Sequence, residues 1–221
     1  MTEVAADRPR VSPVTWLGLF IALFGMLIVR QVVVWLHPGE ATLGSVLVRE
    51  AGMWLVGLSL IAIVRFGERL PLSSIGLTGS HLLKSLLWGI LLTVLCFVAA
   101  GVFVAVTHFN GGKNAEALSK LPVWLITAVV FRAGIVEELC YRGYAIERLH
   151  ALGLPRWLAA GIPLIIFGVG HWTGGVLNIA IALLLGAILA AFYLWRRDLA
   201  ANMIGHTLVD FIPNVLPKLL R

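Results

Sequence analysis

Apolar residues run through this chain in long blocks separated by short polar interruptions. The first block, Val14 to Leu36, is bracketed by Trp16 and Trp35 and follows a polar stretch with Arg8 and Arg10. Further blocks cover Leu43 to Val64, Leu82 to Val106, a segment from Pro122 toward Leu149, Trp157 to His171, Val176 to Trp195, and Leu199 to Leu216. A bilayer-crossing α-helix needs roughly 20 mostly apolar residues, so the pattern predicts an all-α fold, a polytopic transmembrane helix bundle of about seven spans. The first block is too long for a signal-peptide core and reads as a retained span. The interruptions carry turn residues, as in His37-Pro-Gly-Glu-Ala and His150-Ala-Leu-Gly-Leu-Pro, and the stretches Phe66 to His81 and His108 to Lys120 read as loops.

Composition agrees with the pattern. Of 221 residues, 60% are hydrophobic and 13% charged, and mean hydropathy is +0.96. A soluble domain carries roughly 25% charged residues, so the protein reads as integral to the membrane. Residues 1–221 are expected to form a single membrane domain, with 1–13 as a cytosolic tail. The net charge of +6 comes from basic residues scattered among short loops, which fits membrane topology and points away from nucleic acid. Cys96 and Cys140 fall inside apolar segments without metal-type spacing and are expected to pack as small hydrophobes. Arg30, near the end of the first span, reads as an interfacial anchor that snorkels. His37, His81, His108 and His150 fall in or beside loops and read as exposed.

Sidedness follows from the loops. With the N-terminus inside, Arg8, Arg10, Arg65, Arg69, Lys84, Arg148, Arg156, Arg196 and Arg197 share one side, and Lys113, Lys120, Lys218 and Arg221 the other. The bias predicts a cytosolic N-terminus. At 1.5 Å per helical residue, Glu137 lies about 17 Å from Arg148, His171 about 22 Å from Arg156, and His206 and Asp210 about 13 and 19 Å from Arg197. Polar groups from three spans therefore meet near mid-membrane or slightly cytosolic of it, and access from the cytosol is expected.

Ionisable residues at that depth are costly, roughly 2.5 kcal/mol or more each, which makes a shared functional site the default explanation. Glu138 and Arg142 have the i,i+4 spacing of a helical ion pair. Glu137 points about 100° away from Glu138 around an α-helix, so one carboxylate can pair while the other stays free. Phe167 and His171 share a face at the same spacing, as do His206 and Asp210.

The stretch Glu137-Glu138-Leu-Cys-Tyr-Arg142-Gly143 resembles the E-E-x-x-x-R motif of the CAAX-protease and bacteriocin-processing (CPBP, or Abi) family of intramembrane proteases. Phe167-Gly-Val-Gly-His171 is similar to its F-x-x-x-H motif, and His206-Thr-Leu-Val-Asp210 to its H-x-x-x-N/D motif. The three occur in the family's order across the motif-bearing half, about 122–216. The resemblance implies hydrolysis of peptide bonds in membrane-associated substrates: CAAX-type tails, leader peptides or bacteriocin-related peptides. In that chemistry Glu137 is the expected general base toward water, with His171 orienting the same water and Arg142 holding Glu138. His206 is expected to stabilise the oxyanion. Asp210 stands where branches of the family carry Asn; an ionised Asp cannot donate a hydrogen bond, so it must be protonated or act by orienting His206.

No cofactor is expected to be required. The alternative is one divalent metal, zinc by its ligand chemistry, held by Glu137, His171 and His206, although no H-E-x-x-H spacing is present. Two other classes stay open: a non-catalytic immunity or scaffold protein that keeps the fold, and a proton-coupled transporter. The sequence shows no paired repeats to favour the transporter, and it fixes no oligomeric state.

Overall fold

The computed structural model describes residues 12–39 and 42–220. Arg8, Arg10 and Arg221, which enter the sidedness argument, lie outside the described residues, as does the side chain of Lys113. The described chain is helical, without a strand among those residues. Helix α1 spans Pro13–Leu36 and α2 Leu43–Ala62, each started by a capping box, Ser12 with Thr15 and Thr42 with Ser45. Helix α3 spans Leu82–Thr107, α4 Gly112–Ser119, α5 Val123–Arg132, α6 Ala145–Ala151, α7 Arg156–Val169, α8 Val176–Arg196, α9 Leu199–Asn214 and α10 Leu216–Leu219. The Asp198 side chain caps α9 through the Ala201 N–H at 3.0 Å and accepts from Ser85 Oγ at 2.8 Å, which pins α3 to the start of α9.

Among the described residues, four helices are long and apolar enough to cross a membrane: Pro13–Leu36, Leu43–Gly67, Leu82–Thr107 and Val176–Arg196. The seven expected blocks therefore do not all become long uninterrupted helices. The fourth is broken by two π-helical stretches, Ala133–Glu137 and Leu139–Tyr144, and carries Arg132, Glu137, Glu138 and Arg142. The fifth is a helix of 14 residues and the seventh one of 16, about 21 and 24 Å long against a hydrocarbon core of about 30 Å. His171 sits just beyond α7, in the tight turn that leads to α8.

Two expected loops are more structured than expected. Residues His108 to Lys120 contain α4, because Gly111 turns the chain at φ 85° and the Ala-Glu-Ala-Leu run that follows favours helix. The stretch Phe66 to His81 is not purely superficial. Ile75 is fully buried, and Glu68 bonds Arg148 at 2.7 Å and Tyr144 Oη at 2.8 Å. Arg148 is itself buried, and it also donates to Ser74 Oγ at 3.0 Å.

Short connections make successive long elements antiparallel, so the bundle has two unlike ends. One gathers the start of α1 and the end of α8, and is closed by Glu68–Arg148–Tyr144 and by Arg197–Glu147–Tyr193. The other gathers the end of α1, the start of α2, α4, and the turn between α7 and α8. Large apolar side chains such as Leu87, Val98 and Val102 point outward from α3, the surface expected against lipid. Cys96 and Cys140 are free and buried. Of the loop histidines, His37, His81 and His108 are exposed, while His150 is half-buried and bonds the Leu154 carbonyl.

Candidate active site

The helical run from Val123 to Ala151 widens into π-helix where the acidic pair falls. In α-helix the residues three and four apart share a face; the i→i+5 bonding of a π stretch brings the fifth residue round instead. Arg132 and Glu137 have that spacing, and Arg132 Nη1 donates to Glu137 Oε1 at 2.7 Å. Arg132 Nε donates to Glu50 Oε2 on α2 at 2.8 Å. Both arginine bonds are made in a buried setting, where charges are tolerated only when paired and hydrogen-bonded.

Glu138 turns the other way and is enclosed. Its Oε1 accepts from Arg142 Nη1 and from His206 Nδ1, each at 2.7 Å, and its Oε2 accepts from Asn202 Nδ2 at 3.1 Å. Arg142 adds a bond to the Gly186 carbonyl at 3.1 Å and lies 4.6 Å from the Phe167 ring centre. A side chain on Gly186 would crowd both Arg142 and Phe167. Asn202 also donates to the Leu189 carbonyl at 2.9 Å, which ties α8 to α9.

Phe167 lies between the two histidines, tilted against His171 with ring centres 4.7 Å apart and edge-on to His206 at 6.3 Å. His171 Nδ1 lies 2.8 Å from the Phe167 carbonyl. A carbonyl only accepts, so Nδ1 carries the hydrogen, and Nε2 of the neutral ring is left as an acceptor. The same logic holds for His206 Nδ1 against the Glu138 carboxylate. His206 Nε2 faces Asp210 Oδ2 at 3.6 Å, too far for a hydrogen bond. Gly134 permits this meeting of helices, because a Cβ there would strike Thr207, including its backbone nitrogen at 2.8 Å.

A cavity of about 500 Å³ runs from the α4 end of the bundle to this cluster. Glu137, His171, His206 and Asp210 line it, whereas Glu138 does not. Its walls come from the second halves of α1 and α9 and the first halves of α2 and α8. The mouth thus lies at the end away from Arg65, Arg148, Arg156 and Arg197. A cytosolic N-terminus and cytosolic access, expected together from the sequence, are incompatible in this architecture.

A resident metal can be tested against the same geometry. Glu137 is engaged by Arg132, while each histidine commits Nδ1 and keeps Nε2 free, as a metal-binding histidine also does. Among the described residues, no three His, Cys, Asp or Glu side chains are grouped to hold a metal ion. Glu137, His171 and His206 line one cavity without forming such a group.

Residues 119–212 match the family model of type II CAAX prenyl endopeptidases, Rce1-like. The matched segment, less than half of the chain, is similar to that family. The match supports a membrane endopeptidase at family level. No curated protein and no solved structure matches the chain.

The matched segment contains every motif residue read from the sequence, and the structure brings Glu137, Glu138, Arg142, His171, His206 and Asp210 to one region. Sequence reasoning missed three partners. Arg132 hides at the i−5 spacing that only a π stretch makes local, so Glu137 is not free as expected. Asn202 precedes His206 by four residues, a signal available to a helical reading. Glu50 has no local signal, since it reaches Arg132 across 82 positions from α2, outside the matched segment. Arg30 is more than an interfacial anchor, because it bonds the Gly170 carbonyl at 3.0 Å and Thr173 Oγ1.

Proposed function

We propose that the protein is an intramembrane endopeptidase that hydrolyses peptide bonds of membrane-associated substrates, among them CAAX-type tails and leader or bacteriocin-related peptides. The observation that carries this reading is the division between the two adjacent carboxylates. Glu138 is enclosed by Arg142, His206 and Asn202, while Glu137 faces the cavity beside His171.

In this reading Arg132 holds one oxygen of Glu137 in place, and the other takes a proton from water. His171 Nε2 accepts the water's second hydrogen and so aims its lone pair at the scissile carbonyl. The developing oxyanion is met by His206, which donates through Nε2 once that nitrogen is protonated, with Asp210 aligning it. The proton held by Glu137 then passes to the leaving amine. Each step uses side chains alone, and no cofactor is assigned.

The whole of residues 1–221 acts as one membrane domain in about seven spans, with the fourth, fifth and seventh shortened or broken around the site. The basic bias puts the N-terminus in the cytosol. The cavity then opens toward the opposite face, and substrates reach the site from there or from the bilayer.

The test is incubation of the purified protein in detergent or lipid with a panel of membrane-associated peptides, reading products by mass spectrometry. Discrete internal cleavage is expected. Intact peptides across prenylated, leader-type and bacteriocin-type members would contradict the reading.

A further inference from the structure

The cavity holds positive charge that the proposed hydrolysis does not use. Arg30 on α1 lines it, half-buried, and its guanidinium is fixed by neutral groups, the Gly170 carbonyl at 3.0 Å and Thr173 Oγ1. Among the described residues, no carboxylate lies within ion-pair distance of Arg30. Arg49 on α2 lines the same cavity. It has a carboxylate partner, but shares it: Nε and Nη2 both reach Glu50 Oε1 at 3.2 Å, while Glu50 Oε2 serves Arg132. Glu50, Arg49 and Arg132 therefore place two cations around one carboxylate, and Arg132 balances this with Glu137. Among the described residues that line the cavity, Arg30 is the arginine without a carboxylate partner. Asp210, the other carboxylate on the cavity wall, lies toward His206.

A guanidinium half-removed from water without a counter-ion is costly in a membrane interior, and the cost is recovered when an anion arrives. The location says which molecule would bring it. Gly170 directly precedes His171, so Arg30 is anchored one residue from a group that lines the scissile position. Glu50 connects Arg49 to Arg132 and so to Glu137. The two arginines thus line the same cavity as Glu137 and His171.

We propose that Arg30 and Arg49 form a subsite for a carboxylate of the substrate, which fixes the register of the peptide against Glu137 and His171. This rests on the endopeptidase reading for its substrate, although binding is measured independently of turnover. Two sources present the same chemistry: the α-carboxylate at a chain terminus, or an Asp or Glu side chain beyond the scissile bond. Both accept paired N–H donors from a guanidinium, a geometry that lysine cannot reproduce.

The experiment uses the full chain in detergent micelles and three fluorescent apolar peptides of equal length. One ends in a free carboxylate, one is its C-terminal amide, and one is an amide with a single internal Glu. Affinity is read by fluorescence anisotropy for the wild type, Arg30→Gln and Arg30→Lys. A charge-assisted pair predicts about tenfold or tighter binding of a carboxylate peptide over the neutral amide. Which of the two acidic peptides gains names the source. Arg30→Gln brings the ratio to about one, and Arg30→Lys, which keeps the charge and reports on folding, restores part of it. Equal binding of all three peptides by the wild type, or a preference that survives in Arg30→Gln, overturns the subsite. An intact preference without cleavage of any peptide would instead overturn the endopeptidase reading and leave the subsite standing.

Discussion

Arg132 Nη1 and Glu137 Oε1 lie 2.7 Å apart, five residues apart in sequence and on one face only because the helix between them is π-wound. The contact makes Glu137 an oriented carboxylate. Arg132→Ala would leave the Glu50 and Glu137 carboxylates close together without their shared cation. We expect peptide cleavage to fall by about a hundredfold, the scale of losing a positioned proton-transfer group. Arg132→Lys should recover little, since one ammonium cannot reproduce the fork that serves both carboxylates. The value of kcat for the two variants checks this, and wild-type kcat in Arg132→Ala would remove Arg132 from the site.

Glu138 has a different task. It is fully buried and bonded to Arg142, His206 and Asn202. Removing one partner from a buried ion pair costs about 3 to 5 kcal/mol, because the remaining charge is left unmatched. Glu138→Gln should therefore lower the thermal unfolding midpoint of the purified protein well below that of Glu137→Gln, which leaves Arg132 paired with Glu50. Equal midpoints for the two variants would erase the distinction between an enclosed and a cavity-facing carboxylate.

Gly134 tests how tightly α9 must approach. A methyl group there would meet the Thr207 backbone nitrogen and Cα at 2.8 and 2.9 Å as well as its Oγ1. Backbone cannot rotate aside, so Gly134→Ala must push the helix that carries His206. A cost of about 1 to 3 kcal/mol is expected, together with lost cleavage. Thr207→Ala, which removes Oγ1 but not the backbone, should fail to rescue either. Unchanged unfolding and turnover in Gly134→Ala would refute the close approach.

How much of this was readable beforehand depended on the range of each interaction. Apolar blocks sufficed for a helical membrane bundle, since length and hydropathy are local. The Glu138–Arg142 pair was legible because its i,i+4 spacing is that of an α-helical ion pair, and the contact persists although Arg142 lies in a π stretch. Convergence of His171 and His206 on the acidic pair followed from depth counting along three segments. Arg132 was not legible, because an α-helical template puts it on another face from Glu137. Neither was Glu50, whose partner lies three helices later. The expected count of about seven spans is not confirmed by helix length, since short α7 and α9 keep their apolar pattern while losing length. The direction of the cavity could not be seen either, because depth fixes a level and not which end is open.

Orientation yields its own prediction. Arg156 lies at the closed, basic end and Trp172 at the cavity end, and both are exposed. With the N-terminus in the cytosol, Trp172→Cys should react in intact cells with a membrane-impermeant thiol reagent. Arg156→Cys should react only after permeabilisation. Cys96 and Cys140 are buried and should stay silent. The reverse labelling pattern would invert the protein and turn the cavity toward the cytosol.

The central claim is that Glu137 activates water with no metal at the site, and the most direct measurement is peptide cleavage by wild type and Glu137→Gln, each with and without a strong chelator. Gln keeps the shape and cannot take a proton. The account predicts a loss of about 10² to 10⁴ in Glu137→Gln, with wild-type cleavage resistant to the chelator. Cleavage by Glu137→Gln at the wild-type rate, or wild-type activity abolished by chelation and restored by zinc, would contradict it.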